Sequence, residues 1–467
     1  MKALSKLKSP NTFLILSMIM ALTAALTWII PSGEYQTFEK NGQILVMPDS
    51  YHYVESNPQG IGDLFMGPLN GFVDAALIIG FILVIGGVFY VFKKTEAVDS
   101  AIKSIAKAHK TSRLIQILVI PIFMIIFSLA GAVFGMSEEI IPFVLLFIPL
   151  ALALGYDSII GLAIPFVGAG AGFAAAFINP FTLGVAQGIA ELPPLSGFEY
   201  RVIAWFVVTG VTTTFVYLYA QKIKKNPNLS ITYKTDIPKK KQLNFDEIDN
   251  FKGIDNQHKL VMFLFLLGLV VMVYGVLNFG WYILEISAVF LITGIIVGIA
   301  GKLTINEITD SFIIGVKDLA STALVVALAR GILVIARDGK IIDSILYALS
   351  NAISSFHPII SAQAMFIVQT CINFFIPSGS GQAALTMPIM APLGDLVGVS
   401  RQTAVLAFQF GDGFSNMIIP TSGVTMGVLS LAGIPWEKWA RWILPLEIIL
   451  ILVGFILLIP PFLIQWH

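Results

Sequence analysis

The chain has 467 residues, of which 57% are hydrophobic and only 12% are charged. Because many apolar runs approach the roughly 20 residues that span a bilayer, we expect an all-α, multi-pass membrane protein. The 28 basic and 28 acidic residues balance, so no global field favours nucleic acid. A single cysteine, Cys371, excludes an internal disulfide, and the five scattered histidines argue against a metal centre.

The first predicted membrane helix covers about residues 12–30, after three lysines near the N-terminus. The run is long and no small-residue cleavage site follows it before Pro31, so we expect a retained helix rather than a cleaved signal peptide. The polar stretch 31–70 is predicted to be an external loop. A second span, 72–92, ends at two lysines, and residues 95–109 fit an amphipathic helix on the inner surface.

The next part of the chain consists of two apolar limbs around a polar tip. The limbs, 114–132 and 140–154, are each under 20 residues long and flank the tip 131–139. This pattern favours a re-entrant hairpin, with two ordinary spans as the alternative. The following span begins near Asp157 and breaks at Asn179 and Pro180 before it resumes towards Gln187, because proline interrupts helical hydrogen bonding. A further span is predicted at 201–220.

A hydrophilic, lysine-rich segment divides the chain into two hydrophobic halves. We predict a first half at 1–221, with an N-terminal scaffold helix, hairpin 1 and broken helix 1, a cytoplasmic linker at 222–258, and a second half at 259–467. The second half repeats the pattern, with hairpin 2 around a turn at 377–381 and broken helix 2 at 402–431. Its other predicted elements are spans at 260–277, 281–300, 311–336 and 442–463 and a surface helix at 341–353.

The two halves match each other at a nearly constant offset. A shift of 244 superposes Gly71 on Gly315, Asp74 on Asp318 and Gly87 on Gly331, and a shift of 243 superposes Ser137 on Ser380, Gly168 on Gly411 and Gly170 on Gly413. Basic residues cluster at 2–8, 93–113 and 222–259, which places these segments and the N-terminus in the cytoplasm and the C-terminus outside. The extra span at 260–277 then inverts the second repeat. Inverted repeats with paired interrupted segments are typical of secondary transporters.

Each half places a polar hairpin tip beside a broken helix, and these residues are the candidates for substrate binding. Helix breaks expose N–H groups that attract anions and carbonyls that can coordinate Na⁺, while glycine permits close backbone approach. The candidates are Ser137, Glu138, Glu139, Asn179 and Thr182 in the first half and Ser378, Gly379, Ser380, Asn416, Thr421 and Ser422 in the second.

The order of hairpin, broken helix and surface helix, given twice, resembles the ion transporter superfamily. Four motifs resemble those of the anaerobic C4-dicarboxylate carrier-like branch, which includes basic amino-acid antiporters. They are Gly-Met-Ser-Glu-Glu (135–139), Asn-Pro-Phe-Thr (179–182), Pro-Ser-Gly-Ser-Gly-Gln (377–382) and Ile-Pro-Thr-Ser-Gly (419–423). The resemblance implies a homodimer in the lipid of the cytoplasmic (inner) membrane, in which a transport domain moves as an elevator against a fixed scaffold.

By the same resemblance, the tips and breaks hold coupling ions, Na⁺ or H⁺, without any further cofactor or metal. The implied ion-site residues are Gly135, Ser137, Asn179, Ser380, Asp412 and Pro420. The chain departs from the Ser-Asn-Thr motif of divalent anion/sodium symporters. Serine followed by two glutamates (137–139) and Ser-Gly-Ser (378–380) stand at the corresponding tips, which argues against a carboxylate substrate.

Charge in the two motifs favours a cationic substrate. Glu138, Glu139 and Asp412 supply up to three negative charges, and no basic residue lies in either motif. One charge pair at 4 Å is worth about 1 kcal/mol in water and more in a dry pocket. We therefore expect secondary active transport of basic amino acids (arginine, ornithine or lysine type), by antiport or coupled to Na⁺ or H⁺. Neutral amino acids, peptides and Na⁺-coupled C4-dicarboxylates or other small organic acids remain the alternatives within transport.

A hydrolase and a channel are the other function classes that the sequence suggests. An intramembrane hydrolase would use Ser137 or Ser380, but neither has a histidine or lysine nearby in sequence to activate it, so an enzyme is not expected. A channel also fits the composition, although paired hairpins favour alternating access. Arg330 fits a structural role and a ligand-binding role about equally well. Asp74 and Asp318 lie near predicted span ends and are predicted to be structural.

Overall fold

The structure, a computed structural model, describes residues 12–40, 43–47, 49–242, 251, 253–353, 356–464 and 466. It is almost entirely helical. The helices before the middle of the chain are α1 (Thr12–Leu26), α2 (Ile61–Asp74), α3 (Ala76–Lys94), α4 (Ala97–Thr111), α5 (Arg113–Phe134), α6 (Ile141–Ala153), α7 (Ser158–Ala174), α8 (Val185–Ile189), α9 (Phe198–Lys225) and α10 (Tyr233–Gln242).

The later helices are α11 (Asn256–Phe279), α12 (Ile283–Ala300), α13 (Ile305–Asp338), α14 (Ile342–Ile353), α15 (Pro358–Asn373), α16 (Gly379–Val397), α17 (Arg401–Ser415), α18 (Gly423–Ala432), α19 (Trp436–Leu457) and α20 (Pro460–Leu463). Seven helical segments in the described ranges are long and apolar enough to cross a membrane, namely α3, α5, α9, α11, α12, α13 and α19 with α20. The chain is therefore a multi-pass membrane protein.

The region predicted as the loop 31–70 is more ordered than expected, and that prediction is wrong in part. Antiparallel pairs join β1 (Gly33–Glu34) to β4 (His52–Tyr53) and β2 (Thr37–Lys40) to β3 (Gln43–Val46), so the fold is not purely α. This small β region packs on α14, with the Tyr51 and Tyr347 rings stacked at 4.0 Å.

The predicted loop also overlapped the helix α2. Its apolar residues recur every four positions and face outward, at Ile61, Phe65, Leu69 and Val73. Between them lie glycine, proline and asparagine, which suggested turns although they occupy helical positions. The helical period was therefore present in the sequence, but it was hidden by residues that usually end helices.

The predicted tips and breaks lie close to helix ends, but α5 has 22 residues and is long enough to cross a membrane, so the re-entrant hairpins stay a prediction. The first limbs are α5 and α6, joined through a short 3₁₀ turn at Glu138–Ile140, and α7 ends before a π-helical turn at Pro180–Gly184. The second limbs are α15 and α16. The predicted turn at 377–381 is shorter than expected, because the backbone N–H of Gln382 already bonds the carbonyl of Ser378 and α16 begins at Gly379.

Part of the predicted linker is packed rather than free. The residues after α9 enter α10, where Asp236 is buried and accepts hydrogen bonds from Ser158 N at 2.9 Å and Thr232 Oγ1 at 2.8 Å. Lys239 Nζ donates to Ser158 Oγ at 3.1 Å and to the carbonyl of Ala432 at 2.8 Å. Residues 243–250 and 252 of the linker lie outside the described residues. The division at 1–221, 222–258 and 259–467 stays a prediction.

Helix boundaries in the two halves keep the offset seen in the sequence. The pair α2 and α3 begins at residue 61 and ends at 94, and α13 begins at 305 and ends at 338, a shift of 244 at both ends. The segment Pro180 to Ile189 corresponds to α18, Gly423–Ala432, at a shift of 243. The offset found in the sequence is thus also present in the boundaries of these helices.

Two close helix crossings connect these equivalent elements. A Cβ on Gly71 would lie 2.4 Å from Gly331 N, and a Cβ on Gly315 would lie 2.8 Å from Gly87 Cα. Contact positions rise along α2 and α3 as they fall along α13, so the two elements pack antiparallel. Small residues allow the backbones to approach this closely, as is common between membrane helices.

The two broken helices also cross each other. A Cβ on Gly413 would lie 2.3 Å from Ala174 Cα, and a Cβ on Gly170 would lie 2.7 Å from Met417 Cγ. A shift of 243 turns Gly170 into Gly413 and Ala174 into Met417, so each of these two contacts is the counterpart of the other. The contacts of α2 and α3 with α13 are related in the same way by a shift of 244. The crossing of α7 and α17 brings both helix breaks to the middle of the molecule.

Candidate functional site

A cavity of about 410 Å³ opens where the two hairpin tips approach α2, α3, α12 and α13. Both halves of the chain contribute to it. The predicted residues that line the cavity are Gly135, Ser137, Glu138, Glu139, Thr182, Ser378, Gly379, Ser380, Asn416 and Ser422. Residues more than 280 positions apart in sequence therefore share one small space.

The first tip is shaped by a left-handed glycine and a glutamate that folds back. Gly135 ends α5 with φ of +74°, a conformation that side chains other than glycine rarely adopt. The Glu139 carboxylate accepts a hydrogen bond from Ser137 N at 3.0 Å and is 7% exposed. Glu138, the first residue of the 3₁₀ turn, also lines the cavity. The tip thus presents two adjacent carboxyl groups.

Asn179 organises the first helix break from behind the cavity. Its Oδ1 accepts hydrogen bonds from Phe181 N at 2.9 Å and Thr182 N at 3.3 Å, which satisfies N–H groups that a new helix start leaves free. Its own backbone N–H bonds the carbonyl of Ala132 at 3.1 Å, which ties the break to the tip. Asn179 does not itself line the cavity.

The second tip reaches across to the first half at Gly379. A Cβ there would lie 2.3 Å from Thr182 Cγ2 and 3.0 Å from Asp412 Oδ2, so only glycine fits between them. Gly379 is the first residue of α16 and brings Ser378 and Ser380 to the cavity wall. The second tip is therefore wedged between both helix breaks.

Asp412 belongs to a buried polar group beneath that tip. Its Oδ1 accepts from Asn416 Nδ2 at 3.0 Å, and Asn373 Nδ2 donates to Asp412 O at 3.0 Å, Ser415 Oγ at 2.7 Å and Asn416 Oδ1 at 3.0 Å. Asp412 is 1% exposed and lies behind the cavity surface. Its carboxylate is thus fixed by a side chain that itself faces the cavity.

Some candidates lie outside the main cavity. Thr421 lines a smaller adjoining cavity of about 40 Å³, together with Glu138 and Arg330, and Pro420 lines neither of the two. Buried atoms that find no hydrogen-bond partner within the described part of the chain include Thr182 Oγ1, Thr421 Oγ1, Asn179 Nδ2 and Asn373 Oδ1. Unpartnered buried polar atoms are uncommon in proteins, and here several lie at the breaks and tips.

Arg330 on α13 joins the site, together with the carboxylate that holds it. Asp74 and Arg330 both line the cavity, and Arg330 Nε donates to Asp74 Oδ2. Arg337 Nη1 donates to the other oxygen, Oδ1, at 3.2 Å. Asp74 therefore lies on the cavity wall at the end of α2, two residues before the membrane span α3, as its predicted place near a span end requires. Its contact with Arg330 was not predicted from the sequence.

Sequence reasoning also missed Tyr282 and Asn373. Tyr282 immediately precedes α12, lines the cavity and has its ring 5.2 Å from that of Phe181. Asn373 lies at the end of an apolar hairpin limb, four residues after Gln369 on the same helix face. Polar residues at that spacing within an apolar limb were a detectable signal, whereas nothing local in the sequence marks Tyr282.

The described residues contain no group of three or more histidine, cysteine, aspartate or glutamate side chains arranged to hold a metal ion. The cavity offers hydroxyls, amides, carboxylates and one guanidinium instead. Such a lining can bind a small polar molecule by charge and hydrogen bonding.

A family profile described as "C4-dicarboxylate anaerobic carrier" (DcuC) matches residues 9–462, nearly the whole chain. The chain belongs to the DcuC family. The resemblance of its tip and break motifs to this branch is therefore confirmed.

Curated relatives agree with membership of the DcuC family. An Escherichia coli K12 protein named "Putative basic amino acid antiporter YfcC" is 36% identical over 472 residues, covering 92% of each chain. An uncharacterized protein of Haemophilus influenzae is 28% identical over 494 residues, covering 96% of each chain.

Two solved structures are similar to the chain at low sequence identity. The YdaH transporter of Alcanivorax borkumensis has a TM-score of 0.44 and 17% identity, covering 98% of this chain and 99% of that one. MtrF of Neisseria gonorrhoeae, described as one of a class of antimetabolite efflux pumps, has a TM-score of 0.42 and 16% identity, covering 96% and 94%. Membership of the carrier family and the seven helical segments long enough to cross a membrane, in the described part of the chain, make this DcuC family member a membrane transporter.

Proposed function

We propose that the protein is a secondary active transporter of amino acids, chiefly basic ones of the arginine, ornithine and lysine type. The observation that carries the proposal is the charge of the cavity. Glu138 and Glu139 line it, Asp74 and Arg330 on its wall pair with each other, and Asp412 lies directly behind. A net negative site favours a ligand that carries excess positive charge.

The name of the E. coli relative supports the same substrate class. That protein is named "Putative basic amino acid antiporter YfcC", and the two chains align over 92% of their lengths. Membership of a carrier family also favours transport over catalysis by Ser137 or Ser380. Antiport is accordingly the first mode to test, with movement coupled to Na⁺ or H⁺ as the alternative.

The mechanism that we propose is an elevator built from inverted repeats. The exchanged glycine contacts support it, because two equivalent elements that pack antiparallel through reciprocal positions are related by a two-fold axis across the helices. Such an axis lies in the membrane plane when the helices cross the membrane. The pairs α5–α6 and α15–α16 would be the re-entrant hairpins, carried with the broken helices α7–α8 and α17–α18 as one moving domain.

Coupling ions would bind at the tips and breaks, around Gly135, Ser137, Asn179, Ser380, Asp412 and Pro420. The unpartnered oxygens of Thr182 and Thr421 nearby support this placement, since hydroxyl, carboxylate and carbonyl oxygens suit Na⁺. The carboxyl groups would serve if the coupling ion is H⁺. We further propose a homodimer in the inner membrane, as the family resemblance implies. We propose that its N-terminus lies inside and its C-terminus outside, as the distribution of basic residues predicts.

A C4-dicarboxylate or other small organic acid, carried with Na⁺, is the second candidate. The family description names that substrate class, and Arg330 supplies a carboxylate-binding group in the cavity. For this candidate, several cations would have to neutralise the glutamates before the anion could bind.

A substrate screen by thermal shift separates the two. Purified protein would be heated with basic amino acids, neutral amino acids, dipeptides and C4-dicarboxylates, each with and without Na⁺. Arginine, ornithine and lysine should raise the melting temperature more than the other ligands. Stabilisation by succinate or fumarate alone, dependent on Na⁺, would favour the second candidate instead.

A further inference from the structure

Arg330 presents unused hydrogen-bond donors within the cavity. Its Nε donates to Asp74, while its Nη nitrogens have no hydrogen-bond partner among the described residues. The side chain is 28% exposed although it lies in a membrane helix, which agrees with its place on the cavity wall. The free end of a guanidinium is a planar pair of N–H groups that fits a carboxylate in two-point contact.

The neighbours of Arg330 hold it in place and leave its outer N–H groups free. Asp74 is shared by two arginines, since Arg337 Nη1 bonds its second oxygen at 3.2 Å. Arg337 also pairs with Asp338 at 3.6 Å, so Asp74 is not the only carboxylate that balances the two guanidinium groups. The guanidinium of Arg330 is thus oriented before any ligand arrives, which reduces the entropy that binding would cost.

Glu138 provides the opposite charge close by. Glu138 and Arg330 line both the main cavity and the smaller one, and the arginine charge acts on the Glu138 carboxyl. Nevertheless, no ion pair joins these two side chains, both of which lie in the described part of the chain. A guanidinium and a carboxyl group that face one cavity without pairing can bind the carboxylate and the ammonium group of one ligand.

We propose that Arg330 is a specificity-determining residue that binds the carboxylate of the transported amino acid, with Asp74 and Arg337 orienting it. The inference rests on the proposed amino-acid transport. Glu138 would then take an ammonium or guanidinium group of the same ligand. A cation without a carboxylate is consequently a poor ligand, even though the cavity is negative.

The test compares arginine with two analogues that lack its carboxylate charge, agmatine and arginine methyl ester. Dissociation constants would be measured by calorimetry on the purified full-length chain. The wild type should bind arginine about tenfold or more tightly than either analogue, as expected for a hydrogen-bonded charge pair. Arg330→Gln should lose this preference by weakening arginine alone, and the analogues should bind it as they bind the wild type.

Lys317→Gln is the matched control, because Lys317 carries the same charge on the same helix but is exposed and does not line the cavity. It should keep the preference for arginine within about threefold of wild type. Arg330→Lys retains a charge beside Asp74 but lacks the planar fork, so it addresses the case in which the glutamine variant fails to fold. It too should show a several-fold smaller preference.

Three results would overturn the inference. The first is equal weakening of arginine and agmatine in Arg330→Gln. The second is an undiminished preference in both Arg330 variants, and the third is a wild type that binds agmatine as tightly as arginine. A wild type that binds none of these ligands contradicts the proposed function itself, so the two failures are distinguishable.

Discussion

Gly71 on α2 lies directly against Gly331 on α13, and a Cβ at Gly71 would be 2.3 Å from Ala327 O and 2.4 Å from Gly331 N. Both neighbours are backbone atoms, so they cannot turn away. Gly71→Ala should therefore destabilise the protein by about 1–3 kcal/mol through overpacking.

Gly80→Ala is the control for this change, because Gly80 lies in the adjoining helix α3 and a Cβ there would meet nothing within 4 Å. Its stability should be unchanged or slightly raised, since alanine favours helices. The melting temperature of the detergent-solubilised protein, followed by fluorescence, distinguishes the two variants. Equal melting temperatures would show that the helices do not cross as described.

Glu138→Gln and Asp412→Asn should each reduce transport about tenfold or more. The first removes a charge from the cavity surface, and the second removes the carboxylate that Asn416 bonds. Transport would be measured as initial uptake rates in proteoliposomes with equal amounts of inserted protein.

Asp310→Asn is a suitable control for the carboxylate variants, because Asp310 is exposed near the start of α13, away from the cavity. Asp74→Asn is not neutral, because Asp74 holds Arg330. If Glu138→Gln and Asp412→Asn transport as fast as Asp310→Asn, the site is misplaced.

Lys239 connects the segment after α9 to the start of α7 and the end of α18. Lys239→Met should lower the melting temperature and expose the neighbouring linker to proteinase K, because two hydrogen bonds from a half-buried ammonium are lost. Lys241→Met, on the exposed side of α10, should leave both readings unchanged. Identical digestion of both variants would mean that these bonds do not hold α10.

His109 on α4 should make stability depend on pH. Burial, followed by the charge of Lys224 at 3.5 Å, lowers the pKa of His109 to about 4 from its ordinary 6.5. Between these two pKa values the His109 ring is protonated in the unfolded chain but neutral in the folded chain. The contribution of His109 is therefore complete above about pH 6.5 and is lost as the pH falls towards about 4.

Replacing this histidine should remove that part of the pH dependence. Melting temperatures measured at about pH 7 and about pH 4.5 should differ less in His109→Gln than in wild type, whereas His52→Gln, on the exposed strand β4, should behave as wild type. A His109→Gln variant with the full wild-type difference would assign the pH dependence to other groups.

The sequence located the main elements because apolar length and the proline, glycine and asparagine breaks are local signals. The break at Asn179 and the end of α17 near Asp412 both occur where such residues cluster. Because the two halves match at a nearly constant offset, an element predicted in one half also indicated its counterpart in the other half. The start of α2 at Ile61 was missed because glycine, proline and asparagine occupy helical positions there.

The candidate site was predicted from its two tips, but its α13 wall was not. Arg330 and Asp74 are 256 residues apart and meet only because α2 and α13 cross at glycines. No local pattern pairs them. Tyr282 likewise enters the cavity through the packing of α12 beside the first break, so its role depends on tertiary structure alone.

Exchange in proteoliposomes tests the central claim most directly. Vesicles loaded with unlabelled arginine and placed in labelled arginine should take up label rapidly, and external succinate should neither enter nor compete. The Glu138→Gln variant, reconstituted equally, should exchange at about a tenth of that rate or less. Uptake of labelled succinate with Na⁺, in vesicles that do not exchange arginine, would contradict the account.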